Sequence, residues 1–178
     1  KNVEIALLQL EMNYEIRESI LEKLYKNNIK IVLNLAPVVS ISEKNLSYVD
    51  VLIVNQIEAE QLLEKDLRSV EDVVDNISDL RVLKSQKIIV TLGSQGCIAL
   101  EENKIHHLIA PNVEVINTAG AGDCFCGTFV AKWLDYDFLE AVNFALYASA
   151  LSVTKNGTLD SLPNDKELNE FLTNITKG

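Results

Sequence analysis

The chain has 178 residues, 48% of them hydrophobic and 24% charged, with a formal net charge of −10. That length suits one domain or most of one, and the apolar fraction supports a core, which excludes a disordered chain. No stretch of about 18 apolar residues runs without a charge, which excludes a helical membrane span. The acidic balance disfavours nucleic acid, whose binding needs clustered Lys and Arg. Any anionic ligand must then be held by a local device. Three cysteines, an odd number, argue for a reducing cytosol rather than a disulfide framework. The run Lys1 to Leu10 has Glu4 inside it and carries no visible signal peptide. A cytoplasmic location is expected.

Val3 to Leu8 reads as a buried strand at the very start, and Lys1 is not an initiator Met. A domain that begins on its interior points to a missing N-terminal part. Tyr14 to Asn27 places Ile16, Ile20, Leu21 and Leu24 at helical spacing, with Glu18, Glu22 and Lys23 outward. Ile29 to Leu35 and Val51 to Val54 are β-branched runs. Glu58 to Glu64 and Ser69 to Lys84 read as helices, the second capped by Ser69. Lys87 to Leu92 and Cys97 to Leu100 are strands flanking the turn Gly93 to Gly96, and Ile105 to Ala110 is a weaker strand. Helices follow over Ala121 to Leu134, Phe138 to Lys155 and Asp165 to Asn174. Strands separated by helices predict a mostly parallel sheet sandwiched by helices. The expectation is a single α/β domain over residues 1–178.

Only seven glycines occur, none before Gly93, and four form two clusters. Gly93 and Gly96 follow a strand; Gly120 and Gly122 precede a helix. In Asn117-Thr118-Ala119-Gly120-Ala121-Gly122-Asp123 small residues lead into the helix carrying Phe125, Phe129 and Trp133, read as a core face. Free N–H groups at a positive helix end make an anion site, and Asp123 sits in that first turn. The same pattern also fits a capped helix after a tight turn. Glu11 follows the first strand, Asn55 and Glu58 follow the third, and Thr91 to Ser94 end another. Ligands of open parallel sheets collect outside such carboxyl ends. Neither a Walker A loop nor Gly-x-Gly-x-x-Gly is present, which argues against a nicotinamide dehydrogenase. Cys124 and Cys126 read as small core residues, and His106 and His107 alternate across a strand.

The segment Asn117 to Asp123 resembles the D-T-x-G-A-G-D signature of the ribokinase-like carbohydrate and purine kinases. Leu-Leu-Gln-Leu-Glu ending at Glu11, Asn-Leu-Ala-Pro from Asn34, Asn-Gln-Ile-Glu-Ala-Glu from Asn55 and Thr-Leu-Gly-Ser-Gln-Gly from Thr91 match in order. So do Val-Thr-Lys-Asn-Gly from Val153 and Ser-Leu-Pro from Ser161. The early Gly-Gly sugar motif and the β-sheet lid of that family do not occur here, so the chain resembles its C-terminal, nucleotide-binding portion. The resemblance implies ATP-dependent phosphorylation of D-ribose to ribose 5-phosphate. The alternatives are another family kinase, for fructose or a nucleoside, and a non-catalytic nucleotide-binding fragment. A homodimer of the full-length protein is expected.

Residue by residue, Asp123 matches the catalytic base. Gly120 opens the anion hole, formed by the amides of Ala121, Gly122 and Asp123. Asn55 and Glu58 match the segment supporting Mg²⁺ and the phosphates, through water at Glu58. Thr91, Leu92, Gly93, Ser94, Gln95 and Gly96 match the loop under the phosphates and ribose of ATP, and Glu11 contacts the sugar. Asn117, Ala119, Ser152, Lys155, Gly157 and Ser161 match a loop that holds K⁺. Two departures stand out. Asn117 replaces the usual Asp, which removes a charge from the cation site; in a competing reading the Lys155 ammonium makes the ion unnecessary. Leu146 stands where the family often has Asn or His, so adenine would rest on an apolar face.

Overall fold

The computed structural model describes residues 3–38 and 41–175. They divide into two compact units: the described residues up to Leu92 with Cys97–His107, and Gly93–Gly96 with the described residues from Leu108 onward.

The first unit is built on a six-stranded sheet in the order β1-β2-β3-β4-β5-β6. The strands are β1 (Ile5–Gln9), β2 (Lys30–Asn34), β3 (Val51–Asn55), β4 (Lys87–Thr91), β5 (Cys97–Glu101) and β6 (Lys104–Leu108). Strands β1 to β4 pair in parallel, and β5 turns back antiparallel against β4 with Thr91 opposite Cys97. The helices are α1 (Tyr14–Lys26), the short α2 (Glu43–Leu46), α3 (Gln56–Leu63) and α4 (Val70–Asn76). Continuous apolar runs in β2, β3 and β4 are buried on both faces, as a covered parallel sheet requires. One core joins Leu21 of α1, Ile31 and Leu33 of β2, Leu52 and Val54 of β3, Ile88 and Val90 of β4, and Val73 of α4. Each such side chain contributes roughly 1.5–3 kcal/mol by leaving water.

Several expectations shift here. Strand β1 is half-buried, with Leu7 exposed, because it is the first strand in the sheet order and has one neighbour. The expected buried face of α1 is rotated: Ile16 is 56% exposed, whereas Arg17 is 4% exposed with its guanidinium over the Tyr14 ring at 5.1 Å. The helix expected over Ser69 to Lys84 stops at Asn76 and tightens into a 3₁₀ turn over Ile77–Leu80. Ser69 is its cap, in a reciprocal pair with Asp72.

The second unit is helical: α5 (Ala121–Lys132), α6 (Phe138–Ser152) and α7 (Asp165–Ile175). Helix α6 ends at Ser152 rather than at Lys155, which lies in the following turn. Phe125 and Phe129 are buried, and Phe129 stacks on Trp133 at 5.4 Å and meets Phe138 edge-on at 5.8 Å. Cys124 and Cys126 are buried as well. Cys124 packs with Ala148 and Leu168, and burial pushes its thiol up against the opposing hydroxyls of Ser152 and Thr128. Among the described residues no helix is long and apolar enough to cross a membrane.

Candidate functional site

In the first unit the candidate polar residues gather at the carboxyl edge of the sheet. Asn55 is the last residue of β3 and Thr91 the last of β4, and the two are register partners. The Thr91 hydroxyl reaches the Val54 carbonyl at 3.5 Å. Glu11 lies two residues past β1 and is exposed. Leu92 is buried in the core, so its side chain is structural and only its backbone can serve a ligand.

Asn55 and Glu58 form a closed pair. The Glu58 amide donates to Asn55 Oδ1 at 2.8 Å, and the Asn55 amide donates to Glu58 Oε2 at 2.7 Å. This reciprocal cap satisfies two of the free donors at the start of α3, so Asn-x-x-Glu has a structural duty of its own. Half-burial pushes the Glu58 carboxyl above its ordinary range, opposed by the hydrogen bond from Asn55. Its second oxygen, Oε1, makes no hydrogen bond among the described residues. A half-buried carboxylate with one oxygen left over suits a hard divalent cation that keeps its waters, so the residues fit Mg²⁺.

The second unit contains a cavity of about 460 Å³, a size typical of small-ligand sites. Pro111, Val113, Leu146 and Val153 supply apolar wall, and Ser94 and Thr118 supply polar groups. Gly93 and Ala121 also line it. Four sequence candidates, Gly93, Ser94, Ala121 and Leu146, thus meet at one place. The strand expected over Ile105 to Ala110 is β6 and ends at Leu108; the segment Pro111 to Val113 beyond it was not singled out by the sequence. Its one signal was Pro111, a residue that cannot donate to a sheet ladder, three residues past the end of β6.

The start of α5 adjoins this cavity through Ala121. Its cap is Gly120 at φ 80°, and no side chain caps the end. Such a φ is costly for residues with a Cβ. The first helical bond runs from the Cys124 amide to the Gly120 carbonyl at 2.8 Å, so the amides of Gly122 and Asp123 precede it. The Ala121 amide instead donates to the Thr118 carbonyl at 3.2 Å, which diverts one of the three amides expected in an anion hole. Asp123 lies exposed in this first turn. The Ser149 hydroxyl, on α6, holds the Ala121 carbonyl at 3.0 Å. A positive helix end beside a half-apolar slot can take a molecule that is flat and apolar at one end and anionic at the other.

Of the expected cation residues, all in this unit, Asn117 meets Ala119 and Gly157, while the side chains of Ser152, Lys155 and Ser161 are engaged with other partners. The Asn117 side chain lies between the Ala119 amide and the Gly157 carbonyl. The Ser152 and Ser161 hydroxyls donate to the carbonyls of Ser149 and Thr158. The Lys155 ammonium pairs with Glu167 at 2.6 Å, which removes it as a free charge standing in for an ion. An N–H donor at the Gly157 carbonyl does not fit a monovalent cation there.

The family model for pfkB family carbohydrate kinases matches residues 4–165. A ribokinase of Haemophilus influenzae is 34% identical over 167 residues, covering 93% of this chain and 55% of that protein. A deoxyribokinase of Salmonella typhi is 30% identical over 177 residues, covering 97% and 57%. The structure of Arabidopsis thaliana ribokinase complexed with ribose and ATP superposes with a TM-score of 0.86 at 25% identity, covering 94% of this chain and 55% of that one. The chain therefore spans about half the length of the curated relatives it matches.

Proposed function

This chain belongs to the pfkB family of carbohydrate kinases, and from that premise we propose that it carries the nucleotide site and the base of an ATP-dependent sugar kinase acting on D-ribose. The observation that carries this reading is the second unit's cavity, lined by Gly93, Ser94 and Leu146 and continuous through Ala121 with the uncapped start of α5. Adenine would rest against Leu146 and Val153. The anionic end of the nucleotide would meet the amides of Gly122 and Asp123, where the helix dipole favours negative charge.

In the reaction, Asp123 orients the primary hydroxyl of the sugar and accepts its proton. The hydroxyl oxygen bonds to the γ-phosphorus while the bond from that phosphorus to the β–γ bridging oxygen breaks, and ADP leaves. A carboxylate is a weak base toward an alcohol, so orientation dominates until late in the transfer. Charge that grows on the transferred group is stabilised by backbone N–H groups already in place. Glu58 would hold Mg²⁺ through water, and Glu11 would hydrogen-bond the sugar. When bound, magnesium neutralises phosphate charge.

A second reading, with another sugar as acceptor, is supported by the 30% identity to a deoxyribokinase. Assaying the full-length protein for ADP release with ribose, deoxyribose, fructose and a nucleoside decides between them. Ribose should give the highest kcat/KM. A higher value for another acceptor reassigns the substrate, and no release with any of them sinks the kinase reading.

A further inference from the structure

We propose that the side-chain amide of Asn117 takes the place of the monovalent cation, tying the loop 116–120 to the segment 153–158 so that the start of α5 is held without potassium. The inference rests on the kinase reading only for its consequence in turnover; the bridge itself is a matter of these two segments.

The loop is anchored first by backbone. The amides of Ile116 and Asn117 both donate to the Val153 carbonyl just past α6, at 2.8 and 3.1 Å. The Ala119 amide then donates to Asn117 Oδ1 at 3.0 Å. An N–H donor needs an oxygen opposite it, so this bond fixes which way the Asn117 amide is turned. Its Nδ2 is therefore the atom directed at the Gly157 carbonyl, 3.5 Å away. That is long for a hydrogen bond, yet the pairing of a donor with an acceptor is attractive.

A carboxylate at position 117 would reverse the sign of that contact. One oxygen would accept from Ala119, and the other would face the Gly157 carbonyl oxygen. Two negative oxygens at that separation repel, and a cation between them is the usual remedy. With an amide the remedy is internal. Nor does a second charge compete for the place, since the Lys155 ammonium is held by Glu167. The segment matters to the site because Gly120, the cap of α5, packs over Thr158; a Cβ at Gly120 would lie 3.7 Å from it. Asn117 is thus a positioning residue for the anion end of α5.

The test compares wild type, Asn117→Asp and Asn117→Ala in about 100 mM potassium chloride, sodium chloride or choline chloride, reading both melting temperature and turnover of the full-length protein. Wild type should melt and turn over alike in all three salts. Asn117→Asp should lose about tenfold or more of its rate in choline, and regain rate and melting temperature with potassium alone. Asn117→Ala, which removes the bridge without adding an oxygen, should lose rate that potassium does not restore. The proposal is overturned if potassium raises the wild-type melting temperature or rate over choline, if Asn117→Asp matches wild type in choline, or if potassium restores Asn117→Ala. Should Asn117→Asp fail to fold in every salt, the wild-type and Asn117→Ala titrations still decide. Absence of turnover with every acceptor and salt sinks the kinase reading, whereas the wild-type melting titration continues to judge the bridge.

Discussion

The starts of α3 and α5 are two answers to one physical problem. Each helix opens with amides that have no partner inside the helix. At α3, Asn55 and Glu58 close the end with reciprocal side-chain bonds. At α5, Gly120 takes a left-handed conformation and no side chain caps the end. A closed end spends its donors on stability; the end of α5 closes without a side chain, and it is there that the proposed reading seats an anion. In the proposed reading α5 is the chemical end, and α3 is scaffold with one carboxylate oxygen to spare.

The sharpest way to break this contrast is Asp123→Ala. It should lower kcat of the full-length protein by about a thousandfold or more, on the order of 4 kcal/mol, with ATP affinity nearly unchanged by calorimetry. A loss below about tenfold would remove Asp123 from its role. Next comes Gly120→Ala. The added Cβ meets only ordinary contacts at 3.7 Å, so the penalty is conformational, about 1–2 kcal/mol in urea unfolding. An unchanged unfolding midpoint would mean that the left-handed cap is not required.

Asn55→Ala should lower stability by about 1 kcal/mol through the lost cap, and should raise the half-saturating Mg²⁺ concentration for turnover. Full stability with weakened Mg²⁺ dependence would turn the α3 end from scaffold into site. The smallest effect concerns pH. Burial holds the folded Glu58 carboxyl above its ordinary pKa, so the folded state binds that proton more tightly than the unfolded chain does. The resulting contribution is full below the unfolded pKa and is lost as pH rises through the folded one. Relative to Glu58→Gln, wild type should therefore lose a little stability as pH rises above the ordinary glutamate pKa of about 4.3. Added Mg²⁺ should flatten that slope, and a slope of opposite sign would contradict the direction of the shift.

Strong local patterns carried most of the fold into the sequence. Buried runs such as Ile31 to Leu33 and Ile88 to Val90 could only be interior strands, and Ser69 was readable as a cap. What escaped were features decided by neighbours. Helix α4 stops early where the Asn76 side chain bonds back to the Asp72 carbonyl at 2.8 Å, in competition with the helical ladder. Helix α2 is four residues long, too short for periodicity to register. Burial of Arg17 in place of Ile16 depends on what packs beside α1. The glycine clusters were legible as backbone devices, and Gly93, Gly96 and Gly120 do take positive φ; the role given to Asp123 rests on the family resemblance. Asn55 and Glu58 were legible as polar residues but not as a cap, because Asn-x-x-Glu serves both uses. The orientation of the Asn117 amide was hidden, since it depends on the Ala119 amide and the Gly157 carbonyl together.

Gly96 bears on how the cavity breathes. At φ 92° it lies so close to the chain leaving β6 that a Cβ would sit 1.9 Å from the Leu108 carbonyl oxygen and 2.8 Å from the Ala110 nitrogen. The turn carrying Gly93 and Ser94 and the strip from Ala110 to Val113 are therefore pressed backbone to backbone on one side of the slot. In hydrogen-exchange terms they should behave as a single opening unit, whose amides gain and lose protection together. The adenine of the proposed reading would then meet a gap of preset width, and little chain entropy would be lost on its arrival.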